Sequence, residues 1–453
     1  MRLSSRGLRA GPVSLAALLW CGAVQAQGAA QAPETSSSSG KKAGSFWQAA
    51  SALFAINGGL WFYNWHVQGS EWADVGTRSW WANLQAGFNW DDDVFGVNQV
   101  AHPYHGSLYF NAARASGYGF WGSTPFVAAG SLSWELFSEN VRPSANDLIN
   151  TTLGGIALGE VAHRISSHLL TRRGFPAGRR MGALVVNPVG QAQSLVHGDD
   201  RAALDSSPSS SAFLAVGQQG AMGAEPQEVN GEHPFLGLTF QYGSAFDEHV
   251  KRPYDAFEFS LHLSPNQYVV LTHAAVSGLL TRRKLAMSRR RQLMLGLYQH
   301  YDYDDMPLAK ASSQSLSGAL LYRRNPSGRT QLDLGLHLEV VPLGAISTEH
   351  DRARRRDYDF GPGAGVRITG AIRHNGRELL RVDGRTVWIH SLYASNADHY
   401  MTTARLRATV PLFRMLSAGG DVSLTLRQSR YATQPSVSAR LPQVRAYLIW
   451  SPS

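Results

Sequence analysis

The chain has 453 residues, enough for two or three domains. Charged residues make up only 17% while aromatics reach 10% and glycines number 45, a mixture poor for a helical cytosolic enzyme and common in envelope β-proteins. The formal net charge of +9 falls in short clusters, among them Arg172/Arg173, Arg179/Arg180, Arg282/Arg283/Lys284, Arg289/Arg290/Arg291 and Arg354/Arg355/Arg356. These suit solvated loops or contact with anionic lipid headgroups, and no nucleic-acid module frames them.

Arg2, Arg6 and Arg9, the apolar run from Val13 to Ala23, and Val24-Gln25-Ala26 read as a secretory signal (residues 1–26) cleaved after Ala26. The only cysteine, Cys21, lies inside it, so no disulfide or thiol chemistry is expected of the mature chain. A flexible Ser/Ala/Pro/Gly linker follows over 27–44. From Phe46 the composition changes: nine of the twelve tryptophans fall between Trp47 and Trp134, in a helical domain expected over 45–175. The apolar run from Ala49 to Phe62 is broken by Asn57-Gly58-Gly59 and falls short of the ~20 residues a bilayer helix needs.

Asp91, Asp92 and Asp93 lack the ligand spacing of a calcium loop and read as a solvated turn. His102 and His105 stand three apart across Pro103, which argues against a helical two-histidine metal face. A helix from Gly106 to Ala115 would carry Tyr109, Asn111 and Arg114 toward the acidic residues that follow. Two further helices are expected, joined at Arg142-Pro143. The first carries Trp134, Glu135 and Glu139; Ser144 opens the second, with Asp147 in capping-box spacing. Gly154, Gly155 and Gly159 imply that another backbone lies close.

Glu135 and Glu139 lie four apart on one face and repel unless a cation or proton intervenes. They form either a catalytic pair, with Asp147, His102 or His163 as partner, or an ion-pair knot with Arg114 and Arg142; the knot is favoured. Glu160-x-x-His163 is half of a di-iron motif, present in one copy, so neither metal nor cofactor is expected. No nucleophile elbow, phosphate loop or zincin motif occurs.

A first strand at Met181–Val189 and a polar linker are expected within 176–232, and a barrel over 233–453. From Pro234 onward the apolar period becomes two. Leu332, Leu334, Leu336, Leu338 and Val340 share one face, with Asp333, Gly335, His337 and Glu339 on the other. His374-Asn375-Gly376-Arg377 is a tight hairpin signal. About eleven strands follow Pro234, and Met181–Val189 would make about twelve, the even parity of bacterial barrels. The polar faces are mostly Ser, Thr, Gly, His and Arg, which suits a wet lumen under a lipid-facing belt better than a soluble sandwich. Glu258, His262, Asp333, His337 and Glu339 would line that lumen. The fold expected is α+β, a helical domain followed by an antiparallel transmembrane β-barrel.

Asn98, His102-Pro103, Gly106, Tyr109, Ala113-Arg114, Gly117, Trp134-Glu135, Glu139, Ser144, Asp147, Gly154, Gly159-Glu160 and Asn187-Pro188 resemble the pattern of a bacterial envelope family known as a domain of unknown function. The resemblance spans Gly87 to Asp199. Asp147-Leu148-Ile149-Asn150 before Gly154 is more distantly similar to VanZ-like envelope proteins. The resemblance implies location more than chemistry. We therefore expect an outer-membrane barrel whose helical domain caps the periplasmic mouth or plugs the lumen, in an envelope-maintenance or transport-related role. The alternative is a lipid- or cell-wall-modifying enzyme using Glu135, Glu139, Asp147 and His102. Expected partners are outer-membrane lipid, lipopolysaccharide and the barrel assembly machinery, with no nucleic acid.

Overall fold

The computed structural model describes residues 45–171, 176–197, 209–221, 231–265, 270–288, 290–306, 310–326, 328–348, 350, 357–393 and 396–451. The expected signal segment, Cys21 and the 27–44 linker lie outside them. Seven α-helices come first among the described residues: α1 (Phe46–Phe62), α2 (Thr77–Ala86), α3 (His102–Ala115), α4 (Phe120–Phe137), α5 (Ala145–Thr171), α6 (Pro176–Val186) and α7 (Pro188–His197). Twelve strands follow: β1 (Ser210–Ala221), β2 (Gly231–Tyr242), β3 (Phe257–Leu263), β4 (Leu271–Met287), β5 (Arg291–Asp304), β6 (Ala311–Arg324), β7 (Thr330–Ser347), β8 (Tyr358–His374), β9 (Arg377–His390), β10 (Ala397–Pro411), β11 (Leu416–Tyr431) and β12 (Val437–Trp450). Each strand pairs antiparallel with the next. Residues Leu214 to Ala221 of β1 pair back onto Trp450 to Gln443 of β12, which closes the barrel and leaves no sheet edge.

Two compact units result. One gathers residues 45–87, 108–143 and 162–197; the other gathers 88–107 and 144–161 with the barrel. Among the described residues no helix is long and apolar enough to cross a membrane.

Side-chain alternation sets which face of the barrel is which. In β7, Leu334, Leu336, Leu338 and Val340 are 46%, 43%, 62% and 66% exposed, while His337 and Glu339 are 4% and 3% exposed. Burying charge inside and leaving leucine outside is the reverse of a soluble barrel, and it identifies a transmembrane one. Val366 and Ile368 on β8, Val382 on β9, Leu406 on β10, Val422 on β11 and Val444 on β12 continue the outer belt. At the β8–β9 hairpin, Asn375 and Gly376 take φ of 49° and 78°, the paired left-handed conformation of a two-residue turn that suits strand twist.

The first strand is not where the sequence put it. Met181 and Val185 are exposed and Ala183 and Asn187 buried, a spacing of four that belongs to a helix, and α6 with α7 occupies the segment. Asn187 caps α7 by accepting the Gly190 amide at 2.9 Å, with Pro188 at the first helical position, where its missing N–H costs nothing. The twelfth strand is instead β1, inside the stretch that reads as a polar linker. The helix expected from Gly106 begins four residues earlier, because Pro103 sits in the first turn of α3 and a wider π-turn over Val97–Ala101 leads into it.

Candidate functional site

The inward row of the barrel is densely charged and largely self-paired. Glu339 lies at the centre of the main lattice, accepting from Arg367 at 2.7 Å and Arg385 at 2.8 Å, with its side chain fully buried. Arg367 also reaches Asp302 at 2.7 Å, and Arg385 donates to Ser313 at 2.7 Å. Nearer the short turns, both terminal nitrogens of Arg381 grip Glu258 at 2.8 Å, and Arg323 and Arg373 share Asp333. Each such pair is removed from bulk water, so breaking one partner leaves the other charge stranded. Glu258, Asp302, Asp333, Arg367, Arg373, Arg381 and Arg385, with His262, His273 and His337, line a cavity of about 350 Å³. The five lumen residues anticipated from the strand pattern therefore face inward.

Apolar groups close the ends unequally. At the long-loop end, Met306 packs against a cluster of Ala311, Val341, Ile346, Val387, Ile389 and Met401, and also against Ala221 and Leu441. The first cluster is on β6, β7, β9 and β10 and the second on β1 and β12, so this one side chain reaches across the lumen. At the other end the β2–β3 connection folds inward. Ala245, Phe246 and Val250 pack on Leu279, Met294, Tyr298 and Leu321, and Arg282 donates to the carbonyls of Ala245, Asp247 and Val250. That leaves a second cavity of about 200 Å³ beside β1, β2 and β10–β12, reaching the turn residues Arg377 and Arg414. Nothing in the strand pattern marked Met306; its signal was a methionine alone in an acidic loop.

Residues 88–107 and 144–161 meet the outer face of this barrel. In β5, Leu295 and Leu297 are exposed, and period two puts Gln299, Tyr301 and Tyr303 on the same outward row. Yet Tyr301 donates to the Gln99 carbonyl at 2.7 Å, Gln299 donates to the Leu153 carbonyl at 2.9 Å, and Tyr303 stacks on Phe95 with ring centroids 5.4 Å apart. On the outward row of β8, Tyr358 bonds the Asp93 carbonyl at 2.9 Å and Asn98 at 2.7 Å, and Phe360 meets Trp90 at 5.1 Å. In the expected solvated turn Asp92 and Asp93 are exposed, while Asp91 serves as an anchor: its carboxylate accepts from Asn98 at 2.7 Å and Asn146 at 2.8 Å.

Within the same unit α3 and α5 cross with almost no gap. A Cβ on Gly155 would lie 2.5 Å from the Gly106 Cα, and one on Gly154 would lie 2.6 Å from the Pro103 ring. The glycines thus serve backbone approach, as their spacing suggested. The Asp147 amide donates to the Ser144 hydroxyl at 3.2 Å, the capping bond expected there. His102 lies 3.6 Å from the Asp147 carboxylate and 3.2 Å from the Thr151 hydroxyl. Burial holds His102 down at about 4, outweighing the opposing pull of Asp91. Glu160 is fully buried, and its charge adds to burial in pushing the Tyr254 hydroxyl well up.

The helical unit holds the other acidic candidates. Trp134 donates to the Glu139 carboxylate at 2.6 Å, and the Asn83 amide reaches the Glu135 and Glu139 carbonyls at 3.4 and 2.8 Å. Tyr109 is fully buried and bonds Asn57; burial first, then the charge of Glu135, keeps its hydroxyl protonated. Arg142 donates to the Ala86 carbonyl at 2.6 Å, finishing α2, and Arg114 donates to the Tyr118 carbonyl at 3.0 Å. His163 is held well below its usual range by burial and then by Arg114 and Arg164. These bonds tie helices together.

The family description "Domain of unknown function (DUF3943)" matches residues 87–189, less than a quarter of the chain. No curated protein matches. Among solved structures, the NanC porin is similar at 7% identity and TM-score 0.28, covering 53% of this chain and 100% of that one. The outer-membrane channel DcaP of Acinetobacter baumannii is similar at 8% and 0.24, with 54% and 96% covered, and the Pseudomonas putida toluene transporter TodX at 8% and 0.22, with 55% and 90% covered. Likeness at that level carries no argument about activity, so the membrane assignment rests on the barrel's own surface and the family match extends to residues 87–189 alone.

Proposed function

We propose that this protein is an outer-membrane channel for small polar solutes, held shut at one end by an apolar seal and performing no chemistry. The observation that supports it is the charged cavity inside a closed, leucine-sheathed barrel, spanned at its long-loop end by Met306. A constriction lined only by apolar groups sheds water and blocks ions until it moves. Bacterial barrels carry their short turns on the periplasmic side, so the seal would face outward and the second cavity the periplasm. Lipid and lipopolysaccharide are the partners this belt would meet, and the barrel assembly machinery would insert it.

For residues 88–107 and 144–161, contact with the outward row supports a sheath on the barrel wall in place of the expected periplasmic cap or lumen plug. The enzyme alternative gains nothing from the Glu139 carboxylate, which Trp134 holds. Planar-bilayer recording on the full-length protein tests the channel. Rare or small openings are expected for the wild type, and frequent ones once Met306→Ala removes the bridge. A silent Met306→Ala barrel, shown to be folded by heat-modifiable gel mobility, would refute it.

A further inference from the structure

Arginines outnumber carboxylates in one corner of the lumen, whereas Arg381 nearby faces three, Glu258, Glu378 and Asp383. Across the inward row, Arg407 of β10 stands opposite Asp421 of β11, which stands opposite Arg445 of β12. Arg405 lies two residues from Arg407 on the same face. Three guanidiniums thus surround one carboxylate. Arg405 and Arg445 approach it only to 3.9 Å, whereas Arg367, Arg381 and Arg385 each close to 2.7–2.8 Å on at least one carboxylate. Among the described residues no carboxylate lies within 4.0 Å of Arg407. The Nε atoms of all three arginines are buried and have no hydrogen-bond partner, and Arg445 is only 7% exposed.

Guanidiniums remain charged at any pH a cell meets, so three of them share the one carboxylate within reach; Asp383, opposite Arg405, is engaged by Arg381, and Glu258 and Asp304 act on the corner only from farther off. Such charges are stable only when something neutralises them. The space for it is present: Arg407 and Arg445 line the 200 Å³ cavity with His262 and the carboxylates Asp421 and Glu378, and the cavity reaches Arg377 and Arg414 at the turns. Arg445 also donates to the Nδ1 of His262 at 3.1 Å and lies over the Phe235 ring, which holds its plane fixed.

We infer that this corner is a binding site for a small, doubly charged oxyanion, a phosphate or a dicarboxylate, with Arg407 and Arg445 as its donors and Arg405 adding charge beside them. Planar forks of N–H groups match such oxygens in pairs. The inference deepens the channel reading by naming its solute class, yet binding and conduction are measured separately.

Titration calorimetry on the full-length protein in detergent micelles, at constant ionic strength, tests it with inorganic phosphate and with succinate. Saturable binding of at least one is expected, weakened tenfold or more by Arg407→Gln and unchanged by Arg430→Gln on the exposed outer face. Gel mobility before and after heating verifies that each variant is folded. Equal affinity in the wild type and Arg407→Gln, or no saturable heat from either anion, overturns the site. A barrel that binds but does not conduct refutes only the channel; one that conducts without binding refutes only the site.

Discussion

Leu336 is the middle of the outward row from Leu332 to Val340 on β7, with Leu320 and Ile368 beside it on the neighbouring strands. Eight residues of strand cover roughly 26 Å, or about 20 Å along the barrel axis at a usual tilt, close to the height of a lipid-facing band. Leu336 therefore sits near the bilayer midplane. Replacing it with arginine costs about 2–4 kcal/mol there, a fall of roughly 30- to 700-fold in the folded population. In water the same exchange at a 43% exposed site costs under about 0.5 kcal/mol. Urea titration of the protein folded into phospholipid vesicles separates these values, with the heat-modifiable band as readout. A Leu336→Arg midpoint within error of wild type would mean that the leucine rows do not face lipid, and the channel reading would go with them.

Glu339→Gln leaves Arg367 and Arg385 to share Asp302 alone, so it should cost about 3–5 kcal/mol in the same titration. Gly155→Ala drives a methyl into the Gly106 backbone; an overpacking cost of about 1–3 kcal/mol is expected, seen as faster trypsin cleavage within 88–161. Acid should loosen the same segment. His102 and His105 are depressed to about 4 and about 3, chiefly by burial, against an ordinary 6.5. The unfolded segment therefore takes up protons first, so stability is complete above pH 6.5 and drains away as pH falls toward 4. Hydrogen exchange of residues 97–107 should show an opening equilibrium at pH 5 roughly twenty-fold larger per histidine than at pH 7, and His102→Gln should remove its share.

Much of the barrel was readable from the chain because lipid and lumen impose opposite chemistry on alternate residues. The β7 alternation, the Asn375-Gly376 turn and the Ser144 cap all depend on neighbours within a few positions, and all three have the form expected. The glycine crossing was also legible, since small residues repeated on a helix have little use except close approach. By contrast β1 has a weak pattern of its own, Leu214 and Val216 outward among Ser, Gly and Gln, and is a strand because β2 and β12 offer it partners on both sides. The strand reading of Met181–Val189 lost out for the converse reason: four apolar residues in a run fit either period when considered alone, and the segment is helical.

The outward row of β5 carries the last step. Leu293, Leu295 and Leu297 give way on the same face to Gln299, Tyr301 and Tyr303, and Leu316 gives way on β6 to Gln314 and Ser312. Alternation continues without a slip through both strands, so nothing in the period announces a change of environment; only polarity changes. Lipid cannot satisfy an amide or a phenol, so a polar patch on the outer wall of a membrane barrel requires protein against it. Here that protein is the Gln99 and Leu153 backbone, brought by segments some 150 to 200 residues earlier in the chain. The site that distinguishes this molecule from a plain barrel was thus written as an exception to its own pattern, and it became interpretable once the leucine rows had established which side was outside.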